Sequence, residues 1–147
     1  MKDELYHQAI LELARKSRQT ARLEAPQASV ILDNPLCGDR ITLDLSLGDG
    51  RVDAVGHKVR GCLLCQAAAA VIGERAPGRT PDELREVAQD LGDAIAKAPE
   101  IAGKRWPELA AFAPVHPHRS RHECVMLPFQ ALIEALDRAD REGTEPS

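Results

Sequence analysis

Polar and apolar residues alternate without interruption over residues 40–47, which predicts a β-strand with one buried face. Residues 48–50 are Gly-Asp-Gly, a composition typical of a tight turn, and a looser alternation follows over 51–59. These stretches together predict a β-hairpin. A short β-prone run over 29–32 predicts a further strand at the edge of the same sheet.

The remaining apolar positions follow helical spacing and predict four helices, over residues 3–23, 62–75, 80–91 and 125–141. Thr80 is the expected N-cap of the third helix, with Pro81 at its first position and Glu83 completing a capping box. Between the third and fourth helices we expect a loop, a short helix or turn over 106–112, and an extended segment over 114–118.

Pro128 constrains where the last helix begins. Proline is tolerated in the first turn of a helix but not in its interior. We therefore expect this helix to begin close to Cys124 and to hold that cysteine at its N-terminus. Because helix N-termini stabilise thiolates, the thiols of Cys62 and Cys124 are both expected to have lowered pKa values.

The order of these elements predicts an α+β fold, a small antiparallel sheet of about three strands with helices packed on one face. The chain has 147 residues, which fits a single domain over residues 1–147, and it contains no internal repeat. Its polar tail, residues 142–147, is expected to be frayed.

Composition narrows the range of functions. The formal net charge is −4 and basic residues form no stripe, so nucleic acid is not an expected partner. Aromatic residues make up 3% of the chain, too few for a base-stacking surface. Neither a signal peptide nor an apolar run of membrane-spanning length is visible, which predicts a cytoplasmic protein without a membrane partner. In that compartment, cysteines are more typical of metal-binding or reactive sites than of structural disulfides.

Three cysteine sites are expected to converge. The turn over 33–39 brings Cys37 and Asp39 two residues apart, and Cys62 and Cys124 each begin a predicted helix. Three thiolates would bind Zn²⁺ or iron strongly, and a carboxylate is a reasonable fourth ligand. The residues therefore predict a metal or sulfur site. Asp39 can equally serve as a turn cap, and that alternative stays open.

Cys62 and Cys65 also form a Cys-x-x-Cys pair, which allows thiol–disulfide oxidoreductase chemistry as the alternative function. The bulky residues between them and the hairpin strand before them disfavour a thioredoxin-like pair. Because Cys37 and Cys124 are single, a simple four-cysteine zinc knuckle is disfavoured too.

Residues just before Cys124 are candidates to support the site. Arg121 is placed to balance negative charge and to hold a persulfide or a carboxylate. His122 is the candidate for a nearby donor. The other histidines, including His57 on the second hairpin strand, are expected at the surface.

Together these features resemble the U-type iron–sulfur cluster assembly scaffold family, which includes IscU, SufU and the amino-terminal domain of NifU. The likeness rests on Asn-Pro-x-Cys-Gly-Asp at 34–39, Gly-Cys at 61–62 before an Ala-rich helix, Gly-Arg-Thr at 78–80 before a capped helix, and the late Cys124. It covers about residues 5–140. Arg121 and the long segment that precedes it resemble the SufU branch most.

The resemblance implies a protein of iron–sulfur cluster biogenesis. Such a protein accepts persulfide sulfur from a SufS-like cysteine desulfurase and passes sulfur or a nascent cluster to downstream assembly or carrier proteins. It implies a scaffold or a zinc-dependent sulfur relay in preference to an enzyme in its own right, without deciding the point.

The resemblance also implies roles for individual residues. The implied zinc ligands are Cys37, Asp39, Cys62 and Cys124. A [2Fe–2S] cluster or iron is the alternative cofactor, held by the same three cysteines. Cys37 would accept sulfur and Arg121 would support its charge, with Cys65 and His122 as accessory residues. Cys65 stands where this family usually has a small residue, often serine.

Overall fold

The computed structural model describes residues 2–36 and 38–144. Its elements are α1 (Lys2–Gln19), β1 (Ala28–Asn34), β2 (Asp39–Gly48), β3 (Arg51–Arg60), α2 (Leu63–Arg75), α3 (Pro81–Lys97), two 3₁₀ segments (Pro99–Ile101 and Pro107–Val115) and α4 (Arg119–Thr144). The strands form one antiparallel sheet in the order β1-β2-β3, which confirms the predicted α+β architecture with β1 at an edge. Within the described residues, no helix is both long enough and apolar enough to span a membrane.

The helices cover one face of the sheet. Val30, Leu43 and His57 are cross-strand neighbours on that face, and all three are buried. Ser17 of α1 and Gly73 of α2 lie against His57, while α4 packs on β1 and β2. The alternation that predicts the hairpin therefore marks the face on which the core is built.

The connection from α1 to β1 crosses the opposite face. Asp44 is fully buried there, and its carboxylate accepts hydrogen bonds from the Arg22 guanidinium and the Leu23 amide, each at 3.0 Å. The Ser29 hydroxyl donates a third at 2.7 Å. Gly56 of β3 is the cross-strand partner of Asp44. A Cβ at Gly56 would lie 2.8 Å from the Leu23 nitrogen. One buried carboxylate therefore fixes this connection to the sheet.

Several element boundaries differ from prediction. α1 ends at Gln19 rather than at residue 23, because the chain turns there towards Asp44. α3 continues to Lys97 rather than ending near residue 91, since Ala94 and Ile95 are buried and favour the extra turns. The prediction of an extended segment over 114–118 is wrong, because the second 3₁₀ segment continues through Val115.

The predicted start of the last helix is also wrong. α4 begins at Arg119, so Pro128 lies well inside it. An interior proline costs roughly 3 kcal/mol, because it has no N–H for the carbonyl four residues earlier, here that of Cys124. Phe129 and Leu132 are fully buried around it, and this packing outweighs the penalty. Of the predicted frayed tail, residues 142–144 are helical and residues 145–147 lie outside the described part of the chain.

Candidate metal centre

Two thiols and one carboxylate meet at one end of the sheet. Asp39 is the first residue of β2, Cys62 is the N-cap of α2, and Cys124 lies in α4. One carboxylate oxygen and the two Sγ atoms all lie within 4.8 Å of one another. Asp39 and Cys124 are buried and Cys62 is half-buried. We refer to these three residues as the Asp39–Cys62–Cys124 cluster.

Gly61 allows the Asp39 carboxylate to reach Cys62. The hairpin pairs Arg40 with Arg60, so that Asp39 faces Gly61 across the strands. A Cβ at Gly61 would lie 2.7 Å from Cγ of Asp39, which is too close for any side chain. Asp39 Oδ1 accepts the N–H of Cys62 at 3.0 Å, and Oδ2 lies 3.4 Å from the Cys62 sulfur. Sequence reasoning missed this role of Gly61; the cross-strand register is the signal that reveals it.

The electrostatics of Cys62 differ from the prediction. Burial raises the pKa of the Cys62 thiol above its ordinary value. The N–H of Cys65, 3.5 Å from the sulfur, opposes that rise, whereas the negative charge of Asp39 adds to it. The predicted lowering of this pKa is therefore wrong for the metal-free chain. For Cys124 the expected cause is missing, since this residue does not lie at a helix N-terminus.

The loop between β1 and β2 carries the position predicted to accept sulfur. Cys37 itself lies outside the described residues. The side chain of Asn34 accepts the N–H of Leu36 at 3.1 Å, and its backbone carbonyl accepts the N–H of Gly38 at 2.8 Å. Gly38 has a φ of 74°, which favours glycine. A buried Asn34 thus shapes the loop that leads into Asp39.

The two accessory candidates take different positions. Cys65 is fully buried in α2 and touches the cluster through its backbone N–H, which points at the Cys62 sulfur. Nε2 of His122 lies 3.1 Å from the carbonyl oxygen of Val115 and 2.9 Å from that of His116. The His122 ring therefore closes the end of the second 3₁₀ segment.

A groove of about 490 Å³ opens beside Cys62. Its walls are largely apolar and come from α1, the start of α2 and the second 3₁₀ segment, including Ile10, Leu64 and Val115. Arg121 is exposed and also lines it. Of the cluster, Cys62 is the member that lines this groove, so a reactant in the groove reaches the cluster through the Cys62 sulfur.

His57 is not at the surface as predicted. It is 1% exposed, and its Nε2 lies 2.8 Å from the Ser17 hydroxyl. Its Nδ1 has no hydrogen-bond partner within the described part of the chain. Burial lowers the pKa of His57 to about 4, so the ring is neutral near neutral pH.

Comparison of the sequence with known protein families identifies a match over most of the chain. Residues 5–106 match the model for the NifU-like N terminal domain. The chain belongs to that family. This finding confirms the resemblance inferred from the cysteine motifs.

Named relatives match the NifU-like chain over nearly its full length. The scaffold protein IscU of Thermotoga maritima is 27% identical over 139 residues, which cover 93% of this chain and 96% of that protein. The zinc-dependent sulfurtransferase SufU of Bacillus subtilis is 24% identical over 143 residues, or 96% and 94% of the two chains. Neither relative supports the oxidoreductase alternative.

Solved structures agree with the NifU-like fold. The N-terminal part of a NifU-like protein from Brucella abortus superposes with a TM-score of 0.84 at 30% identity, covering 97% of this chain and 99% of that one. A scaffold protein for the SUF system from Fervidobacterium islandicum AW-1 gives a TM-score of 0.76 at 22% identity, covering 87% and 93%. The second likeness supports the fold alone.

Proposed function

We propose that this NifU-like domain is an iron–sulfur cluster assembly protein that accepts sulfur at a site made up of Cys37 and the Asp39–Cys62–Cys124 cluster. The observation that carries the proposal is the meeting of one carboxylate and two thiols, from β2, α2 and α4, within 4.8 Å. Full-length similarity to relatives named as an iron–sulfur scaffold and as a zinc-dependent sulfurtransferase supports it.

In this proposal the sulfur donor is a cysteine desulfurase and the first acceptor is Cys37. The Cys37 thiolate attacks the terminal sulfur of the donor's persulfide, forming a new S–S bond as the donor's own S–S bond breaks and leaves a donor thiolate. Arg121 supplies positive charge for the bound sulfur anion. The sulfur, or a cluster built from it, then passes to downstream assembly or carrier proteins.

The donor set suits a soft or borderline metal ion. Asp39, Cys62 and Cys124 would hold Zn²⁺, with Cys37 as the proposed fourth ligand. When bound, the cation would favour the deprotonated thiols and so offset the burial that raises the pKa of Cys62. The three cysteines without the carboxylate are the donor set for the alternative cofactor, iron or a [2Fe–2S] cluster.

Metal analysis and a visible spectrum of the purified protein test the cofactor. Stoichiometric zinc without colour supports the sulfur relay, whereas a brown protein supports cluster assembly. Zinc affinity should fall by at least roughly 100-fold in Cys62→Ser and Cys124→Ser, because losing a ligand costs more than losing a group that only supports one. Cys65→Ser is the matched control on the same helix, and its affinity should stay close to that of the wild type. Equal affinities in all three variants would contradict the proposed ligand set.

A desulfurase assay tests sulfur acceptance. With dithiothreitol present, the wild-type chain should stimulate sulfide production from cysteine by a cysteine desulfurase. Cys37→Ala should abolish the stimulation, because the acceptor thiol is gone. Undiminished stimulation by Cys37→Ala would rule Cys37 out as the acceptor.

A further inference from the structure

We propose that Cys65 is a resolving thiol that reduces sulfur held on Cys62 to hydrosulfide. This inference rests on the proposed function, because it requires sulfur to reach the Asp39–Cys62–Cys124 cluster. It assigns a role to the buried Cys65, which lies outside that cluster.

The helix start brings the two cysteines together. Cys62 is the N-cap of α2, with φ −69° and ψ 166°, and Cys65 is the third residue of the helix. The Cys62 sulfur lies 3.5 Å from the backbone nitrogen of Cys65. Because that nitrogen and the Cys65 sulfur belong to one residue, a change of rotamer is enough to alter the separation of the two sulfurs. Cys-x-x-Cys pairs that open a helix are suited to forming a disulfide.

The two thiols differ in accessibility. Cys62 lines the groove of about 490 Å³, so it is open to a sulfur donor. Cys65 is 0% exposed and packs in the apolar core. Of these two thiols, Cys62 is therefore the one that an external donor or oxidant can reach, and Cys65 reacts within the protein. Cys62 is thus placed to act as the accepting thiol and Cys65 as the resolving thiol.

Reduction of the outer sulfur on Cys62 needs no reactant other than the Cys65 thiol. The Cys62 thiolate attacks the outer sulfur of a persulfide or polysulfide, whose S–S bond breaks to release a thiolate or a shorter polysulfide, and Cys62 becomes the persulfide Cys62–S–S⁻. The Cys65 sulfur attacks the Cys62 sulfur, and the bond between Cys62 and the outer sulfur breaks. The outer sulfur leaves with the electron pair and takes the Cys65 proton as HS⁻, while a Cys62–Cys65 disulfide remains. Sulfane sulfur is reduced by two electrons, and the two thiols are oxidised.

This step determines which product the protein supplies to cluster assembly and which reaction must follow it. It yields sulfur at the oxidation level of sulfide, which is the level found in iron–sulfur clusters. It also leaves the protein oxidised, so a dithiol reductant must return Cys62 and Cys65 to thiols before the next turnover. The reduction is internal to this chain, unlike the exchange catalysed between other proteins by a thiol–disulfide oxidoreductase.

Trypsin separates the relevant thiols. Cleavage after arginine gives peptide 61–75, which holds Cys62 and Cys65 together, peptide 23–40 with Cys37, and peptide 122–138 with Cys124. A Cys62–Cys65 disulfide therefore stays within one peptide and lowers its mass by two hydrogen atoms. A retained persulfide raises the mass by one sulfur atom.

The experiment loads the full-length chain with sodium tetrasulfide in the presence of a metal chelator and without thiol reductant. After rapid desalting, sulfide release is followed over time for the wild type and for Cys65→Ser, and samples are then alkylated for measurement of the peptide masses. The wild type should release sulfide and show the disulfide in peptide 61–75. Cys65→Ser should keep the added sulfur on that peptide and release roughly tenfold less sulfide. Circular dichroism of both proteins checks the fold.

The possible results separate the two proposals. Added sulfur that persists on peptide 61–75 of the wild type, without sulfide release, overturns the role of Cys65. So does a disulfide that joins peptides 61–75 and 122–138, since Cys124 would then be the resolving thiol. Sulfur found on peptide 23–40 alone overturns this inference and leaves the sulfur-acceptor function intact. If neither protein carries added sulfur on any of the three peptides, and the wild type shows neither the disulfide nor sulfide release, both proposals are contradicted.

Discussion

The Asp39 carboxylate occupies the space that a side chain at residue 61 would fill. A Cβ at Gly61 would lie 2.7 Å from Cγ of Asp39 and 2.9 Å from its Cβ. The carboxylate instead reaches past the glycine to the amide and the sulfur of Cys62. The glycine before Cys62 is therefore part of the candidate metal centre, although it supplies no ligand.

Gly61→Ala should displace Asp39 and weaken metal binding. The added methyl group forces the Asp39 carboxylate away from Cys62, and we expect a 10- to 100-fold loss, roughly that of losing a supporting contact in a metal site. Competition titration of Zn²⁺ against a chelator measures it. Gly92→Ala is the control, because a Cβ there meets only Met126, at an ordinary 3.7 Å. Wild-type affinity in Gly61→Ala would show that the crowding is relieved elsewhere.

His57 should make the fold sensitive to acid. Its pKa is lowered to about 4 from an ordinary 6.5, so the unfolded chain takes up the proton first as the pH falls. Its contribution to stability is complete above pH 6.5 and is lost as the pH falls towards 4, a change of about 3 kcal/mol. Urea unfolding of the wild type and His57→Leu across this range measures the difference. The wild type should lose more stability than the variant.

An exposed histidine gives the matched comparison. His118→Gln should keep the same acid sensitivity as the wild type, since His118 lies at the surface. If His57→Leu and the wild type lose stability in parallel, the buried ring is not the group responsible.

Replacing Arg22 should lower the free energy of unfolding far more than replacing Arg40. Each arginine pairs with an aspartate on the face of the sheet opposite the helices. Arg22 pairs with the fully buried Asp44, whereas Arg40 pairs with the half-exposed Asp33. Hydrogen bonds from Arg22, Ser29 and Leu23 outweigh burial and hold the pKa of Asp44 below its ordinary value. Arg22→Ala leaves a buried carboxylate without its cation, and Arg40→Ala removes a solvated pair.

Urea denaturation of both arginine variants tests this contrast. Arg22→Ala should lower the unfolding midpoint several-fold more than Arg40→Ala. Equal shifts would mean that the buried pair contributes no more than a surface one.

Arg121 should affect sulfur transfer without affecting metal affinity. It lines the groove that opens on Cys62, and it lies outside the Asp39–Cys62–Cys124 cluster. We expect Arg121→Glu to slow sulfur transfer from a cysteine desulfurase by roughly tenfold, because the reversed charge repels the persulfide anion. Initial rates of sulfide production measure this effect.

Arg119→Glu is the control for Arg121. Arg119 is exposed at the same end of α4 and does not line the groove. Loss of transfer in both variants would point to net charge rather than to a place in the groove. Loss of zinc in Arg121→Glu would indicate a structural role instead.

Short segments of the sequence were sufficient to predict much of the fold. The hairpin follows from strict alternation over β2 and the Gly-Asp-Gly turn, both of which are properties of short segments. The start of α3 follows from the cap, since the Thr80 hydroxyl accepts the Glu83 amide at 3.2 Å as predicted. Neither feature depends on residues far away in the chain.

Prediction failed where distant packing overrides a local preference. Pro128 argues locally for a helix start, yet α4 continues through it because its buried face packs on the sheet. His57 is polar and therefore expected outside, yet its strand position faces the helices, where Ser17 supplies one partner. In both cases the deciding contacts join elements that are separated in sequence.

The sequence by itself determined which face of β2 carries the apolar core residues, where the Ala-rich helix begins and which residues supply the thiols. Only the tertiary structure decided that Asp39 faces Gly61. The irregularity between Ser46 and Leu47 shifts the hairpin pairing by one residue, from Gly48 with Arg51 to Arg40 with Arg60. Without that shift, Asp39 would oppose Arg60. A bulge depends on how a whole strand packs against its helices, and that free energy is not encoded in any short stretch of residues.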